Sequence, residues 1–283
     1  IKLARKYASE KREGKYELIT MQDSFHGRTL ATVTATGQDR FHEGFAPLPE
    51  GFRYVPYNDL AAIEAAVTDR TCGVMVEPIQ GEGGVVIPAQ GYLPGIRKIC
   101  NERGLLMIVD EVQTGIGRTG TLFACEQEEV VPDMITLAKA LGNGFPIGAL
   151  LAAKEVAAAF VPGSHGSTFG GNPLATAAGI AVLETIFNEE ILNNCSRVGE
   201  YFLSRLTELK QKNNRIREVR GRGLIIAVEL TVPGADFVLE CMKKGLLINC
   251  TGGSVLRFVP PLILTKTDVD KAVGILSEVL EER

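Results

Sequence analysis

The sequence predicts an α/β protein that is built on a mostly parallel sheet and followed by a smaller domain. Short, largely apolar runs occupy residues 72–76, 105–109 and 134–138. Runs of this kind are typical of strands that are buried on both faces, as in parallel sheets. An amphipathic helical pattern at 92–103 lies between the first two runs, and such alternation is characteristic of βαβ units. A chain of 283 residues is also long enough to divide into two domains.

Other elements are predicted from periodicity, capping residues and turn residues. Further helices are expected at 1–12, at 59–67 with Asp59 as N-cap, at 154–160, at 174–212 with a break near Asn188, at 235–244 and at 268–282. Further strands are expected at 17–21, 148–152, 221–230, 246–248 and 255–262, and a long surface loop at 38–58, which is rich in Gly, Pro and Phe. The long helix marks the passage between domains, so we expect a large domain at 1–171 and a small α+β domain at 172–283.

Two side chains suited to acid–base chemistry follow the apolar runs. Asp110 comes directly after the run at 105–109, and Lys139 directly after the run at 134–138. Ligands gather at the carboxyl ends of parallel strands, so both residues are expected where a cofactor would bind. A lysine between apolar neighbours is poorly hydrated, which favours its neutral, nucleophilic form. An amine that forms Schiff bases and a carboxylate that pairs with a pyridinium nitrogen are what pyridoxal phosphate requires of a protein. For either residue alone, a strand-capping Asp or a snorkelling Lys is the plainer alternative.

Composition narrows the possible partners and location. The formal net charge of −4 and the lack of a basic stripe argue against nucleic acid, and no apolar run approaches the length of a membrane span. Six scattered cysteines without a Cys-x-x-Cys pair suggest buried thiols in a reducing cytosol, so a cytoplasmic protein is expected. The three histidines lack metal-ligand spacing, and no metal is predicted.

The loop at 24–29 and the stretch after the run at 72–76 each allow two interpretations. Phe25 suits stacking on a cofactor ring and Arg28 suits a substrate carboxylate, but a core Phe and a surface Arg are more common outcomes. Glu77 and Glu82 stand five positions apart at a strand end. They suit general acids or solvated loop charges, and the spacing favours neither.

Two segments later in the chain point to anions. The Ser-, Thr- and Gly-rich loop at 165–173 precedes a helix and suits either a phosphate or a capping turn. Arg257 lies inside the apolar strand predicted at 255–262. A buried Arg is seldom unpaired, so it is expected to meet either a substrate anion or an internal salt bridge.

The segments Asp-Glu-Val-Gln-Thr-Gly at 110–115 and Thr-Leu-Ala-Lys-Ala-Leu-Gly-Asn-Gly at 136–144 closely resemble the class III, ornithine-type aminotransferases. The resemblance covers nearly the whole chain and keeps the order of the family's motifs. It implies the pyridoxal-phosphate-dependent transferase fold of type I. It also implies that Lys139 carries the cofactor and serves as general base, while Asp110 keeps the pyridine nitrogen protonated.

The resemblance assigns further roles residue by residue. Phe25 would stack on the cofactor ring with Val112 on the opposite face, Gln113 would bind the ring's phenolic oxygen, and Thr168 would reach the phosphate of the partner subunit of a homodimer. His26 and Glu111 are also counted as cofactor-binding residues. The expected substrate-binding residues are Arg28, Ser167, Arg257, Glu82 and Glu77.

Among the substrate-binding residues, the resemblance implies that Arg257 binds the substrate's α-carboxylate and that Glu82 is its exchange partner. Arg28 would bind the donor's carboxylate, and Glu77 would be a structural acid near the cofactor. The partners would be a small amino acid and a 2-oxo acid, with N-acetylornithine as donor and 2-oxoglutarate as acceptor, as in arginine biosynthesis. Another class III substrate, such as ornithine, 4-aminobutyrate or succinylornithine, is the alternative. The loop that holds the cofactor phosphate in the family would precede Ile1, so the sequence is expected to be N-terminally truncated. A cofactor-free, inactive fragment is then a further alternative.

Overall fold

The computed structural model describes residues 1–282, which form two compact units. The first unit comprises Ile1–Pro78, Pro88–Ile116 and Cys125–Leu183. The second comprises Ile79–Ile87, Gly117–Ala124 and the chain from Glu184 onward. The last boundary between the units follows Leu183, whereas the sequence predicts a division at 171/172. The observed boundary falls inside a helix, where no shift of composition marks it.

The first unit begins with alternating helices and strands and ends with three consecutive strands and two helices. They are α1 (Lys2–Lys11), β1 (Glu17–Met21), α2 (Leu30–Ala35), β2 (Phe52–Val55), α3 (Leu60–Ala66), β3 (Thr71–Val76), α4 (Tyr92–Arg103), β4 (Leu106–Asp110), β5 (Met134–Leu137), β6 (Ala149–Ala152), α5 (Lys154–Ala157) and α6 (Pro173–Asn188), whose last turn enters the second unit.

The sheet of the first unit has the order β2-β1-β3-β4-β5-β6. All neighbouring strands are parallel except β5 and β6, which are antiparallel. Strands β1, β3 and β4 are buried at every residue, as expected of continuous apolar runs. The α/β class with a mostly parallel sheet is confirmed.

Local sequence signals set the ends of several helices. The Asp59 side chain accepts a hydrogen bond from the Ala62 N–H and so caps α3. Helix α4 ends at Gly104, whose φ of +63° lies in the left-handed region that favours glycine. Both helices were predicted from the sequence, the first with Asp59 as its N-cap.

The second unit is an antiparallel sheet covered by helices. Its elements are α7 (Ile191–Lys212), β7 (Ile216–Arg222), β8 (Ile225–Leu230), α8 (Ala235–Lys243), β9 (Asn249–Thr251), β10 (Val255–Phe258) and α9 (Lys266–Glu282), with strand order β7-β8-β10-β9. Phe202 of α7, Leu256 of β10 and Leu276 of α9 are buried in one apolar core. The helix break near Asn188 is confirmed.

The structure departs from the predicted elements in four places. Strand β2 and helix α2 were not predicted, and β2 lies within the presumed surface loop at 38–58. Strand β7 was missed because its Arg and Glu residues obscure any apolar alternation. The strand predicted at 246–248 was wrong; the strand there is β9, which begins at Asn249.

Within residues 1–282, none of the helices has both the length and the apolar character that crossing a bilayer requires.

Candidate active site

Four side chains that are suited to acid–base or covalent chemistry lie at or just after the carboxyl ends of neighbouring strands in the first sheet. His26 follows β1, Glu77 follows β3, Asp110 is the last residue of β4, and Lys139 follows β5. These four strands are parallel neighbours, so their carboxyl ends share one edge of the sheet. The fold therefore gathers at one edge residues that are far apart in sequence.

Three donors hold Asp110, two from distant segments and one from the backbone just after it. Its Oδ2 lies 2.7 Å from His26 Nδ1, and its Oδ1 accepts from the Thr136 hydroxyl at 3.0 Å and the Val112 N–H at 3.1 Å. The residue is only 5% exposed. Because a carboxylate has about four acceptor positions, these donors leave about one for a further N–H.

His26 is buried against this carboxylate. Burial by itself would lower the pKa of His26, but the hydrogen bond and charge of Asp110, with the charge of Glu77, raise it overall. The ring nitrogen Nε2 is buried and has no hydrogen-bond partner among residues 1–282. The pair therefore favours a proton on Nδ1 and a negative charge on Asp110.

Glu77 organises the loop that carries Phe25. Its Oε2 accepts a hydrogen bond from the Phe25 N–H at 2.9 Å, and its backbone carbonyl accepts one from the Tyr57 hydroxyl at 3.0 Å. Glu77 is buried. The Glu77 carboxylate therefore binds a backbone N–H group, which is what a structural acid near the predicted cofactor site would do.

Arg28 packs against two aromatic rings. Its guanidinium carbon lies 5.1 Å from the ring centre of Phe25 and 4.6 Å from that of Phe41, and the two rings meet edge to face at 5.5 Å. Arg28 is exposed, and no acceptor among residues 1–282 takes a hydrogen bond from its guanidinium. The planar fork is thus oriented by stacking, which leaves its N–H groups to solvent or a ligand.

Lys139 has an unusual backbone conformation. Its φ is +44°, in the left-handed region, and it begins the 3₁₀ turn Lys139–Leu141. A non-glycine residue there is strained, and such strain is concentrated at functional sites. Among residues 1–282 Lys139 is exposed, which differs from the expectation that its apolar neighbours leave it poorly hydrated.

The carboxylate of Glu111 holds a loop. It accepts hydrogen bonds from the Cys125 N–H at 2.9 Å and from the Thr114 hydroxyl, and it is only 1% exposed. The hydrogen bond from Cys125 joins the residue after Asp110 to the point where the chain re-enters the first unit after residues 117–124. The cofactor-binding roles of Glu111, Val112 and Gln113 stay predictions.

The loop before α6 forms a capping turn. The Asn172 side chain accepts from the Ala175 N–H at 3.0 Å, and the Ser167 hydroxyl accepts from the Gly170 N–H at 3.1 Å. Ser167 and Thr168 are exposed. The capping interpretation is therefore observed, and the phosphate and substrate roles of these two residues stay predictions.

In the second unit, the buried Arg257 of β10 forms an internal salt bridge. Its Nη1 lies 2.9 Å from Glu82 Oε1, and its Nε donates to Asn249 Oδ1 at 3.1 Å. The structure thus pairs the two residues that the resemblance presents as exchange partners.

Sequence reasoning missed several residues of these arrangements. Thr136 was detectable as a hydroxyl in an otherwise apolar strand, and it lies beside Asp110 in the β4–β5 register. Asn249 and Phe41 carried no signal, because their contacts with Arg257 and Arg28 arise only in the folded chain.

The residues of the first unit fit pyridoxal phosphate. A buried carboxylate with about one acceptor position left suits a pyridinium N–H, and a primary amine beyond the adjacent strand suits an aldehyde. When bound, the cofactor supplies an aldehyde carbon that bonds to amines and a ring that takes up electrons. Asp110 and Lys139 would hold these two ends, and Phe25 supplies an aromatic face. Such a fold and donor set define a pyridoxal-phosphate-dependent enzyme.

The sequence profile of the class-III aminotransferases matches residues 1–280. The chain therefore belongs to the class-III aminotransferase family, whose members depend on pyridoxal phosphate. It is 54% identical to the acetylornithine aminotransferase of Caldanaerobacter subterraneus, with 100% of this chain and 72% of that protein covered. It is 49% identical to the acetylornithine aminotransferase of Methanothermobacter thermautotrophicus, with 100% of this chain and 71% of that protein covered.

Solved structures give the same class. An ornithine aminotransferase from Toxoplasma gondii, with pyridoxal phosphate at partial occupancy, superposes with a TM-score of 0.95 at 37% identity and covers 99% of this chain and 69% of its own. The N-acetylornithine aminotransferase of Stenotrophomonas maltophilia superposes with a TM-score of 0.83 at 37% identity. The match covers 99% of this chain and 70% of that one.

Proposed function

We propose that this protein transfers an amino group from the terminal amine of N-acetylornithine to 2-oxoglutarate. The products are N-acetylglutamate semialdehyde and glutamate, as in arginine biosynthesis. The observation that carries the proposal is the position of the buried Asp110, whose carboxylate contacts His26 and Thr136. Asp110 ends β4, which pairs with β5, and Lys139 follows β5. The identity of 54% to an acetylornithine aminotransferase supports the choice of donor.

The acid–base work falls to two residues. Lys139 Nζ would hold the cofactor, and its neutral amine would act as the general base that takes up the proton leaving the substrate carbon. Asp110 keeps the proton on the ring nitrogen, which requires the carboxylate to stay ionised. The charged hydrogen bond from His26 Nδ1 supports that state.

Substrate carboxylates are assigned to two arginines. Arg28 binds the carboxylate of the amino donor, because its guanidinium is exposed and oriented by aromatic rings. Arg257 binds the α-carboxylate of 2-oxoglutarate and glutamate, and Glu82 occupies it otherwise. Ser167 lies near substrate in this assignment.

The protein acts as a homodimer in this proposal, with Thr168 of each subunit reaching the cofactor phosphate of the other. The exposure of Thr168 supports this role. A cytoplasmic location is proposed as well, and the free, mostly buried cysteines support it.

Ornithine is the second candidate donor, because the ornithine aminotransferase of Toxoplasma gondii superposes with a TM-score of 0.95. Its identity of 37% is lower than the 54% of the acetylornithine enzyme, which places N-acetylornithine first.

The test is a comparison of donors with 2-oxoglutarate as acceptor. The purified protein, loaded with pyridoxal phosphate, is assayed for glutamate with N-acetylornithine, ornithine, succinylornithine and 4-aminobutyrate. We expect kcat/KM for N-acetylornithine to exceed that for ornithine by about tenfold or more, since about 1.4 kcal/mol of differential binding suffices. A higher value for ornithine would replace the proposed donor.

A further inference from the structure

Arg220 lies on the same face of the second sheet as Arg257. Arg220 of β7 and Arg257 of β10 are both register partners of Ala227 on the central strand β8. Directly opposed residues of antiparallel strands project to the same face. With strands about 4.8 Å apart, the two backbones stand about 10 Å apart across a small residue. The alanine leaves space between the two arginines.

The hairpin at 80–86 packs on this face. Gln80 and Val86 form an antiparallel bridge, with N–O distances of 3.2 and 3.1 Å. Val85 is fully buried in an apolar cluster that includes Ala227 and Val255. Glu82, near the tip of the hairpin, reaches Arg257.

Arg220 binds the backbone of this hairpin. Its Nε donates to the Val85 carbonyl at 3.0 Å and its Nη2 to the Gly84 carbonyl at 2.7 Å. Its Nη1 contacts Glu229 at 2.6 Å and Glu218 at 2.7 Å, so the positive charge is neutralised by carboxylates of the sheet. The planar fork therefore ties two consecutive carbonyls to the sheet.

These bonds hold a strained turn. Gly84 has a φ of +108°, and Val85, a β-branched residue, has a φ of +52°. Such a conformation persists only where surrounding contacts over-determine it. Burial of the Val85 side chain and the bonds from Arg220 provide those contacts, and they fix where the preceding carboxylate of Glu82 projects.

We propose that Arg220 is a positioning residue of the transamination: it holds the 80–86 hairpin so that Glu82 stays seated on Arg257. Arg220 thereby sets how readily Arg257 gives up its internal partner for a substrate carboxylate. The inference rests on the proposed function only for the role of Arg257.

The first measurement needs neither substrate nor cofactor. Hydrogen exchange of the Gln80 and Val86 amides is compared between wild type, R220Q and R217Q. Arg217 is the matched control, because it also pairs with Glu229, at 2.9 Å, and donates to no hairpin carbonyl in residues 1–282. We expect exchange in the hairpin to rise about tenfold or more in R220Q and to stay at the wild-type rate in R217Q. Equal rates in R220Q and wild type would overturn the proposal.

The second measurement separates positioning from general damage. In R220Q, kcat/KM for 2-oxoglutarate relative to that for the amino donor should rise about three- to tenfold, because Glu82 competes less for Arg257. E82Q should shift the ratio in the same direction, and the double variant should match E82Q, because Arg220 acts through Glu82. An equal loss in both half-reactions, or additive effects in the double variant, would refute the positioning role.

If R220Q does not fold, R220K takes its place. A lysine keeps the charge beside Glu229 but lacks the fork, so a smaller shift in both measurements is expected, and unchanged values would overturn the proposal. Lack of activity with N-acetylornithine would refute the proposed donor alone, since hairpin exchange is independent of substrate and the ratio is measurable with any accepted donor.

Discussion

His26 Nδ1 lies 2.7 Å from Asp110 Oδ2, although the residues are separated by 84 positions in the chain. The contact is buried, and it joins a residue of the loop between β1 and α2 to the last residue of β4. An imidazole that donates here stabilises the ionised carboxylate, which is the form that a protonated pyridine nitrogen needs.

This pair predicts a specific pH dependence of stability. Burial opposes the charge of His26, but the hydrogen bond to Asp110 and the nearby carboxylates raise its pKa above the ordinary 6.5. The folded state therefore holds the proton more tightly than the unfolded state. The stabilisation is fully present below about pH 6.5 and is lost as the pH rises through the folded-state pKa.

Chemical denaturation from about pH 6 to pH 9 tests this dependence. Wild type should lose more free energy of unfolding over this range than H26N, which lacks the titrating group. D110N should also reduce the loss, since it removes the charge that raises the pKa. A wild-type dependence equal to that of H26N would contradict the linkage.

Replacing Lys139 should abolish covalent attachment of the cofactor. K139A is expected to lack both transamination and the visible absorbance of lysine-linked pyridoxal phosphate, because no other residue is proposed to carry it. K154A is the control, an exposed lysine at the start of α5. Absorbance spectra after cofactor addition decide the matter, and a wild-type spectrum for K139A would show that another lysine was modified.

Replacing Asp110 should impair the chemistry more than the attachment. D110N is expected to lower kcat by about a thousandfold or more while the visible absorbance is kept, because a neutral amide no longer holds the ring-nitrogen proton. T136V removes one hydrogen bond to the same carboxylate and should cost only about tenfold. Near-wild-type turnover of D110N would refute the assigned role.

The cysteines should react slowly in the folded protein. Burial is the main cause that raises the pKa of Cys100 and Cys125 to about 12 and that of Cys72 and Cys241 to about 11. The thiolate is the nucleophile, so few thiols are reactive at about pH 8. A thiol reagent should modify at most the partly exposed Cys250 within minutes, and all six cysteines after denaturation. Rapid modification of several thiols without unfolding would contradict these pKa shifts.

The strands and helices that were predictable share a strong local signal. Strand β4 is continuous apolar sequence, and α4 has a helical period and a terminal glycine. Strand β7 has neither, because four of its seven residues are Arg or Glu. Two of these arginines, Arg217 and Arg220, pair with Glu229 of β8. Its strand character depends on tertiary contacts that the local pattern does not contain.

The candidate site was predictable where chemistry coincides with a strand end. Asp110 and Lys139 follow apolar runs, and parallel topology gathers such positions at one edge. The contact of His26 with Asp110 depends on β1 and β4 lying on either side of β3, which strand order alone determines. The exposure of Lys139 and its positive φ were not predictable, because its hydrophobic neighbours in the sequence gave no indication of either.

The arrangement around Asp110 has a consequence for the life of the protein in the cell. Its partners His26 and Thr136 come from segments that become neighbours only when β1, β3, β4 and β5 are assembled. A partly folded chain therefore lacks the complete binding site for the vitamin-derived coenzyme. Selective binding to the finished fold pulls the folding equilibrium forward by mass action. Coenzyme supply would then govern how much intact enzyme survives proteolysis, as well as how fast each molecule works.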